Sequence, residues 1–154
     1  MQLIIKKFLI IYFFIALLLF QNNLYSKIET KNIDDFGIIS LMYHRFEENK
    51  YPSTNIKISE FKKHLEIIKE NNIKFINPKN FEEELRSNKK QRKVLLTIDD
   101  GFLSFYENAW PILKEKKIPF ILFVSTREVG SFNYMNWSQI KEISKEDFVE
   151  IGNH

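Results

Sequence analysis

The stretch Val94-Leu95-Leu96-Thr97-Ile98 constrains the fold more than any other part of the chain. A nearly continuous apolar run without polar alternation is what a strand covered on both faces requires, and such strands belong to parallel sheets flanked by helices. Residues 38–43 form a second short apolar run that predicts another buried strand, and residues 74–76, 120–124 and 148–151 predict three more. Helical segments separate them. Ser59 is placed to cap a helix whose Phe61, Leu65 and Ile68 recur at helical spacing, with Lys62, Lys63, Glu66 and Lys69 on the wet side. Asn80 with Glu83, and Asn136 with Gln139, have the spacing of capping boxes opening helices to about residues 86 and 144, and residues 105–116 form an amphipathic helix. The lysine-rich residues 89–93 read as a solvated turn.

Five strands alternating with helices, joined by connections too long for hairpins, predict a parallel α/β arrangement. Chemistry in such folds collects where strands end at their C-terminal edge. His44, the pair Asp99–Asp100 and the terminal Gly152-Asn153-His154 each follow a predicted strand directly, so this rule places all of them on one face. His64, among lysines on a helix, reads as a surface residue, and Trp110 and Trp137 read as core residues in preference to sugar-stacking platforms.

The first residues stand apart from the fold. Lys6 and Lys7 precede thirteen apolar or aromatic residues, 8–20, which is the charged and hydrophobic pattern of an export signal or a retained N-terminal anchor, with Leu24-Tyr25-Ser26 as the nearest cleavage candidate. Residues 1–26 are thus assigned to that segment, 27–36 to a polar linker and 37–154 to the domain. Removing residues 1–26 takes away two lysines and no acid, so 23 basic against 20 acidic residues becomes 21 against 20. A nearly neutral domain has no electrostatic footprint for nucleic acid. The chain has no cysteine, which excludes disulfides, thiolate nucleophiles and Cys-ligated zinc and leaves His and carboxylates as the available metal ligands.

Asp99-Asp100-Gly101 on its own is a turn signal. Two carboxylates at a strand end can also divide metal ligation and proton abstraction between them, and Gly101 permits the positive φ that a sharp reversal needs. The wider context decides for chemistry. Thr97-Ile98-Asp99-Asp100-Gly101 resembles the first motif of the polysaccharide deacetylase family, also known as the NodB-homology domain or carbohydrate esterase family 4, with Ile98 where that motif has Phe. The resemblance extends from about residue 39 to the end, through Leu41-Met42-Tyr43-His44-Arg45-Phe46 and Tyr134-Met135-Asn136-Trp137, to Glu150-Ile151-Gly152-Asn153-His154, which matches the start of the second motif.

The resemblance implies the N-terminal part of a distorted (β/α) barrel, with Asp99 as general base and Asp100 and His154 as ligands of a divalent metal, commonly zinc. His44, at a strand end, is a candidate substrate contact or a structural residue of the barrel rim. The family's second histidine would lie four positions beyond His154, so the sequence as given is expected to be a fragment with at most two protein ligands and weak or no metal binding. The expected activity of the whole protein is hydrolysis of N-acetyl groups on an N-acetylated envelope or extracellular polysaccharide. The membrane would be met only through the N-terminal segment. A truncated, non-catalytic glycan-binding envelope protein is the alternative, and a phosphoesterase using the paired aspartates fits the surrounding motif less well.

Overall fold

A computed structural model describes residues 37–87 and 90–154. The expected export segment and linker, residues 1–36, and also Lys89 lie outside the described residues. The elements follow in order as β1 (Gly37–Tyr43), β2 (Arg45–Phe46), β3 (Asn55–Ile56), α1 (Ile58–Glu70), β4 (Lys74–Phe75), α2 (Phe81–Arg86), β5 (Arg92–Ile98), α3 (Trp110–Lys116), β6 (Phe120–Val124), α4 (Trp137–Ile143) and β7 (Val149–Asn153).

The main sheet is parallel and built around β5. Strand β1 runs along one edge of β5 in unbroken register from Gly37 opposite Arg92 to Tyr43 opposite Ile98. The other edge is shared: β4 pairs with Lys93 and Val94, and β6 pairs with Thr97 and Ile98. Strand β7 then adds to β6, with Phe123 opposite Gly152. Every β5 residue from Lys93 to Ile98 is buried, as its apolar run requires.

Strand β1 corrects the expectation of a buried strand. Ile39 and Met42 are 64% and 60% exposed, because β1 has a hydrogen-bonded neighbour on a single edge among the described residues and lacks the two-sided cover that β5 receives. The core lies beneath the sheet's other strands and gathers Phe46, Phe61, Phe105, Trp110 and Phe120 with Leu96, Ile98, Leu113 and Leu122. Its rings meet edge to face, Phe46 on Phe61 at 5.1 Å and Phe105 on Phe120 at 5.6 Å between centroids, the geometry that ring quadrupoles favour. Trp110 is in this core as expected. Trp137, at the first position of α4, is not: it is 60% exposed.

Helix starts follow the sequence signals unevenly. Helix α4 has the full capping box, with Asn136 accepting from the Gln139 N–H at 3.0 Å and Gln139 accepting from the Asn136 N–H at 2.8 Å. Helix α1 begins one residue before Ser59 and has no side-chain cap from its own N-cap residue; the carboxylate of distant Glu47 accepts from the Ile58 N–H at 2.5 Å instead. At α2 the capping residue is Asn77, which accepts from the Lys79 N–H at 3.0 Å and starts a short 3-10 turn, Pro78–Asn80; Asn80 makes no cap bond.

The expected helix over residues 105–116 is divided. Phe105–Ala109 is π-helical, and α3 continues from Trp110. Pro111 has no N–H to give to the Glu107 carbonyl, and the Trp110 N–H reaches five residues back to the Phe105 carbonyl. Lys93 also departs from the solvated-turn reading: it is 3% exposed on β5, and its ammonium donates to the Glu84 carbonyl at 2.8 Å and pairs with the Glu84 carboxylate at 3.0 Å. Lys74 on β4 pairs with the same carboxylate, so α2 is clamped to both strands.

Candidate active site

The turn after β5 is held from three directions. The Asp99 N–H donates to the Tyr43 carbonyl at 2.8 Å and extends the β1–β5 ladder by one step. The Asp100 carbonyl accepts from the Ser125 N–H after β6 at 3.3 Å, and the Gly101 carbonyl accepts from the Met135 N–H at 2.9 Å. Between these anchors the chain reverses through two successive left-handed residues, Asp100 at φ 70° and Gly101 at φ 81°. Glycine adopts this conformation freely, and Asp is among the side chains that tolerate it. The sequence reading anticipated Gly101 in this role and missed Asp100.

Strand β7 brings His154 to the same place. Its N–H donates to the Val124 carbonyl at 3.0 Å, continuing the β6–β7 pairing. Gly152 lies under the Phe123 ring so closely that a Cβ there would stand 2.4 Å from Cδ1, so a side chain at this position would push β7 away from β6. The His154 ring is bracketed by the two carboxylates: Nδ1 is 3.6 Å from Asp100 Oδ1 and Nε2 is 3.7 Å from Asp99 Oδ2. These separations exceed a hydrogen bond.

Asp99 is 8% exposed, and its buried Oδ1 has no hydrogen-bond partner among the described residues. Burial holds its pKa above the usual carboxylate range; the nearby charges of His44 and His154 pull it down, and that of Asp100 pushes it up. The structure therefore brings Asp99, Asp100, His154 and His44 together at one end of the sheet, as their positions after strands suggested. His64 is exposed on α1, but it is more than a surface residue: its Nδ1 lies 2.8 Å from the hydroxyl of Tyr43, whose carbonyl anchors Asp99.

One group at the site escaped the sequence reading. The Arg45 guanidinium is stacked between two rings, 3.7 Å from the centroid of Phe102 and 4.3 Å from that of Tyr51, and donates to Thr54 Oγ1 at 2.8 Å. Glu48 faces its Nε at 3.4 Å. Cation–π contact with Phe102 ties the loop after β1 to the residue that follows Gly101. Phe102 in turn stacks on Tyr134 at 4.7 Å. Tyr134 has a raised pKa, chiefly from burial and next from the charge of Asp100. The sequence signal was present in Arg45 beside His44, but its aromatic partners are distant in the chain.

The family model described as polysaccharide deacetylase matches residues 86–154, which include both aspartates and His154. This stretch belongs to the polysaccharide deacetylase family. The chain is 30% identical over 130 residues to the poly-beta-1,6-N-acetyl-D-glucosamine N-deacetylase of Staphylococcus epidermidis, a match covering 83% of this chain and 43% of that protein. Among solved structures it resembles IcaB from Ammonifex degensii, with a TM-score of 0.70 and 35% identity over 77% of this chain and 53% of that one. It also resembles the Streptococcus pyogenes deacetylase PplD in complex with acetate, with a TM-score of 0.62 and 26% identity over 76% of this chain and 55% of that one. The chain thus spans about two fifths of the staphylococcal relative and about half of each of these two solved chains.

The α/β sheet matches what these polysaccharide deacetylase relatives share, and its donors can be tested against the divalent metal that the resemblance implies. Two ligands on one tetrahedral zinc, each about 2.1 Å from it, stand roughly 3.4 Å apart. The 3.6 Å between Asp100 Oδ1 and His154 Nδ1 is close to that separation and too long for a direct hydrogen bond, so the pair fits two ligand positions. Among the described residues no group of three or more His, Asp or Glu is disposed to hold a metal ion.

Proposed function

We propose that the protein is an exported, metal-dependent hydrolase that removes N-acetyl groups from an envelope or extracellular N-acetylglucosamine polymer. The observation that carries this reading is the convergence of Asp99, Asp100 and His154 around one buried carboxylate with an unpartnered oxygen. The polymer class follows the names of the relatives, and the export follows Lys6, Lys7 and the apolar residues 8–20.

Asp100 and His154 are the residues that would hold the divalent metal, zinc. Bound there, it supplies Lewis acidity toward the acetamide carbonyl and the attacking water. Asp99, whose carboxylate lies beside the Asp100–His154 pair, takes the proton from that water. The water oxygen bonds to the carbonyl carbon, the carbon–nitrogen bond breaks, and the leaving nitrogen gains one proton in balance for the one Asp99 took from the water, so acetate and a free amine are the products. His44, electrostatically coupled to Asp99, contacts the substrate at the rim of the site. The stacked Arg45 fixes the loop beside it.

A non-catalytic glycan-binding protein is the second reading. Acetate release separates the two. The protein, supplied with zinc and a β-1,6-linked N-acetylglucosamine oligosaccharide, is expected to liberate acetate in proportion to enzyme. Binding of the oligosaccharide without acetate release would establish the non-catalytic reading.

A further inference from the structure

A cavity of about 410 Å³ is lined by residues that continue the site's own segments along the chain, from Phe46 after His44 and from Leu103 after Gly101. One wall contains Glu48, in the loop that leaves the sheet through His44 and Arg45. A second contains Ser104, Glu107 and Asn108, in the turn and π-helical segment that follow Asp99, Asp100 and Gly101. The third contains Asn133, whose carbonyl accepts from the Leu103 N–H at 2.8 Å, on the same loop that bonds Gly101 through Met135.

Several of these groups are fixed in advance. Ser104 Oγ accepts from the Phe46 N–H at 3.2 Å and donates to Glu48 at 2.6 Å. One N–H of the Asn108 amide is spent on the Ser104 carbonyl at 2.9 Å, which orients the group. The Asn108 carbonyl oxygen and its other N–H have no protein partner among the described residues, and the exposed Glu107 carboxylate is in the same condition. The volume is within the range of about 300–1,000 Å³ typical of small-molecule sites. Carboxylates and amides of this kind hydrogen-bond to sugar hydroxyls and acetamides, each amide serving as donor and acceptor at once.

A second hollow, about 760 Å³ between α1 and α3, is floored by Leu65, Ile73, Phe75, Ile112 and Ile118 and is lined by none of the site's segments. A polymer whose acetamide reaches Asp99 must carry its neighbouring sugar past the site, and the walls of the smaller cavity are formed by the segments that lead directly from His44 and from Gly101. We propose that this cavity is a saccharide subsite that holds the adjacent sugar of the polymer through Glu107, Asn108 and Asn133. The proposal rests on the deacetylase reading of the Asp99–Asp100 site for its polymer substrate.

Calorimetric titration tests it directly on the Asp99→Asn protein, which does not consume its ligand. The probes are a β-1,6-linked N-acetylglucosamine trisaccharide and N-acetylglucosamine itself. The trisaccharide is expected to bind at least tenfold more tightly than the monosaccharide, and Asn108→Ala added to Asp99→Asn is expected to erase that advantage while leaving monosaccharide affinity unchanged. Glu107→Ala, at an exposed position without a packing role, is expected to reduce the advantage severalfold, so the proposal stays testable where the Asn108 variant folds poorly. Equal affinity for the two sugars, or a trisaccharide advantage that survives both substitutions, would overturn the subsite. Acetate release by the unsubstituted protein is read separately, so loss of the subsite and loss of the deacetylase reading are distinguishable.

Discussion

Strands β1 and β5 run side by side in register and read alike in sequence, yet they occupy opposite ends of the burial scale. Each delivers a residue to the site, His44 after β1 and Asp99 after β5, and the two strands are tied at that end by the Asp99 N–H bond to Tyr43. Strand β5 has neighbours on both edges and buried side chains from Lys93 onward. Strand β1 shows Ile39 and Met42 to solvent. The difference teaches that the acid half of the site stands on a strand buried from Lys93 to Ile98, while His44 is carried by a strand that packs on the core through Leu41 and Tyr43 and leaves Ile39 and Met42 exposed.

The largest expected effect comes from breaking the β5 side. Leu96 is almost fully buried in the core, and Leu96→Ala should cost about 3 kcal/mol of stability through lost burial and the cavity left behind. Urea unfolding monitored by Trp110 fluorescence measures it, and a loss below about 1 kcal/mol would mean that β5 does not anchor the core as described.

A smaller effect of opposite sign is expected at Asp99. Burial raises its pKa in the folded protein, so the native state holds the Asp99 proton more tightly than the unfolded chain does. Asp99 therefore adds stability at pH values below its unfolded pKa and loses that contribution as the pH rises through the folded pKa; above it, an ionised and desolvated carboxylate remains. In the metal-free protein Asp99→Asn removes that charge and should raise the melting temperature at neutral pH, with the gain shrinking as the pH falls through the same window. A gain that grows toward acid pH would contradict the raised pKa.

The smallest effect belongs to β1. Ile39→Thr keeps a β-branched residue at an exposed position and should change stability by no more than about 0.5 kcal/mol. Urea unfolding of this variant beside Leu96→Ala sharpens the contrast, and a cost similar to that of Leu96→Ala would place β1 in the core after all.

Much of this arrangement was legible in the residues, because periodicity reports local structure well. The five parallel strands, the Asn136–Gln139 capping box and the gathering of residues that follow strands all came from local pattern. What the sequence did not show depends on distant neighbours. Ile39 and Val94 are equally apolar, and exposure separates them only through which edges of the sheet are occupied. The Ile58 N–H is satisfied by Glu47 and not by Ser59, and the Arg45 guanidinium finds Phe102 fifty-seven positions along the chain. The Phe105–Ala109 π-segment was in principle readable from Pro111, whose missing N–H breaks the regular ladder. At the site, the positions of Asp99, Asp100 and His154 followed from strand ends, whereas the unpartnered Asp99 Oδ1 and the ring of Phe123 over Gly152 are products of packing.

The central claim is that Asp99 and Asp100, adjacent in sequence, have separate tasks, proton transfer for one and metal binding for the other. The most direct measurement is a paired determination of acetate release and zinc content by elemental analysis on the Asp99→Asn and Asp100→Ala forms of the full-length protein. The account predicts that Asp99→Asn keeps the zinc of the unsubstituted protein and loses acetate release by at least a hundredfold, whereas Asp100→Ala loses both. Unchanged turnover in Asp99→Asn, or full zinc retention in Asp100→Ala, would contradict it.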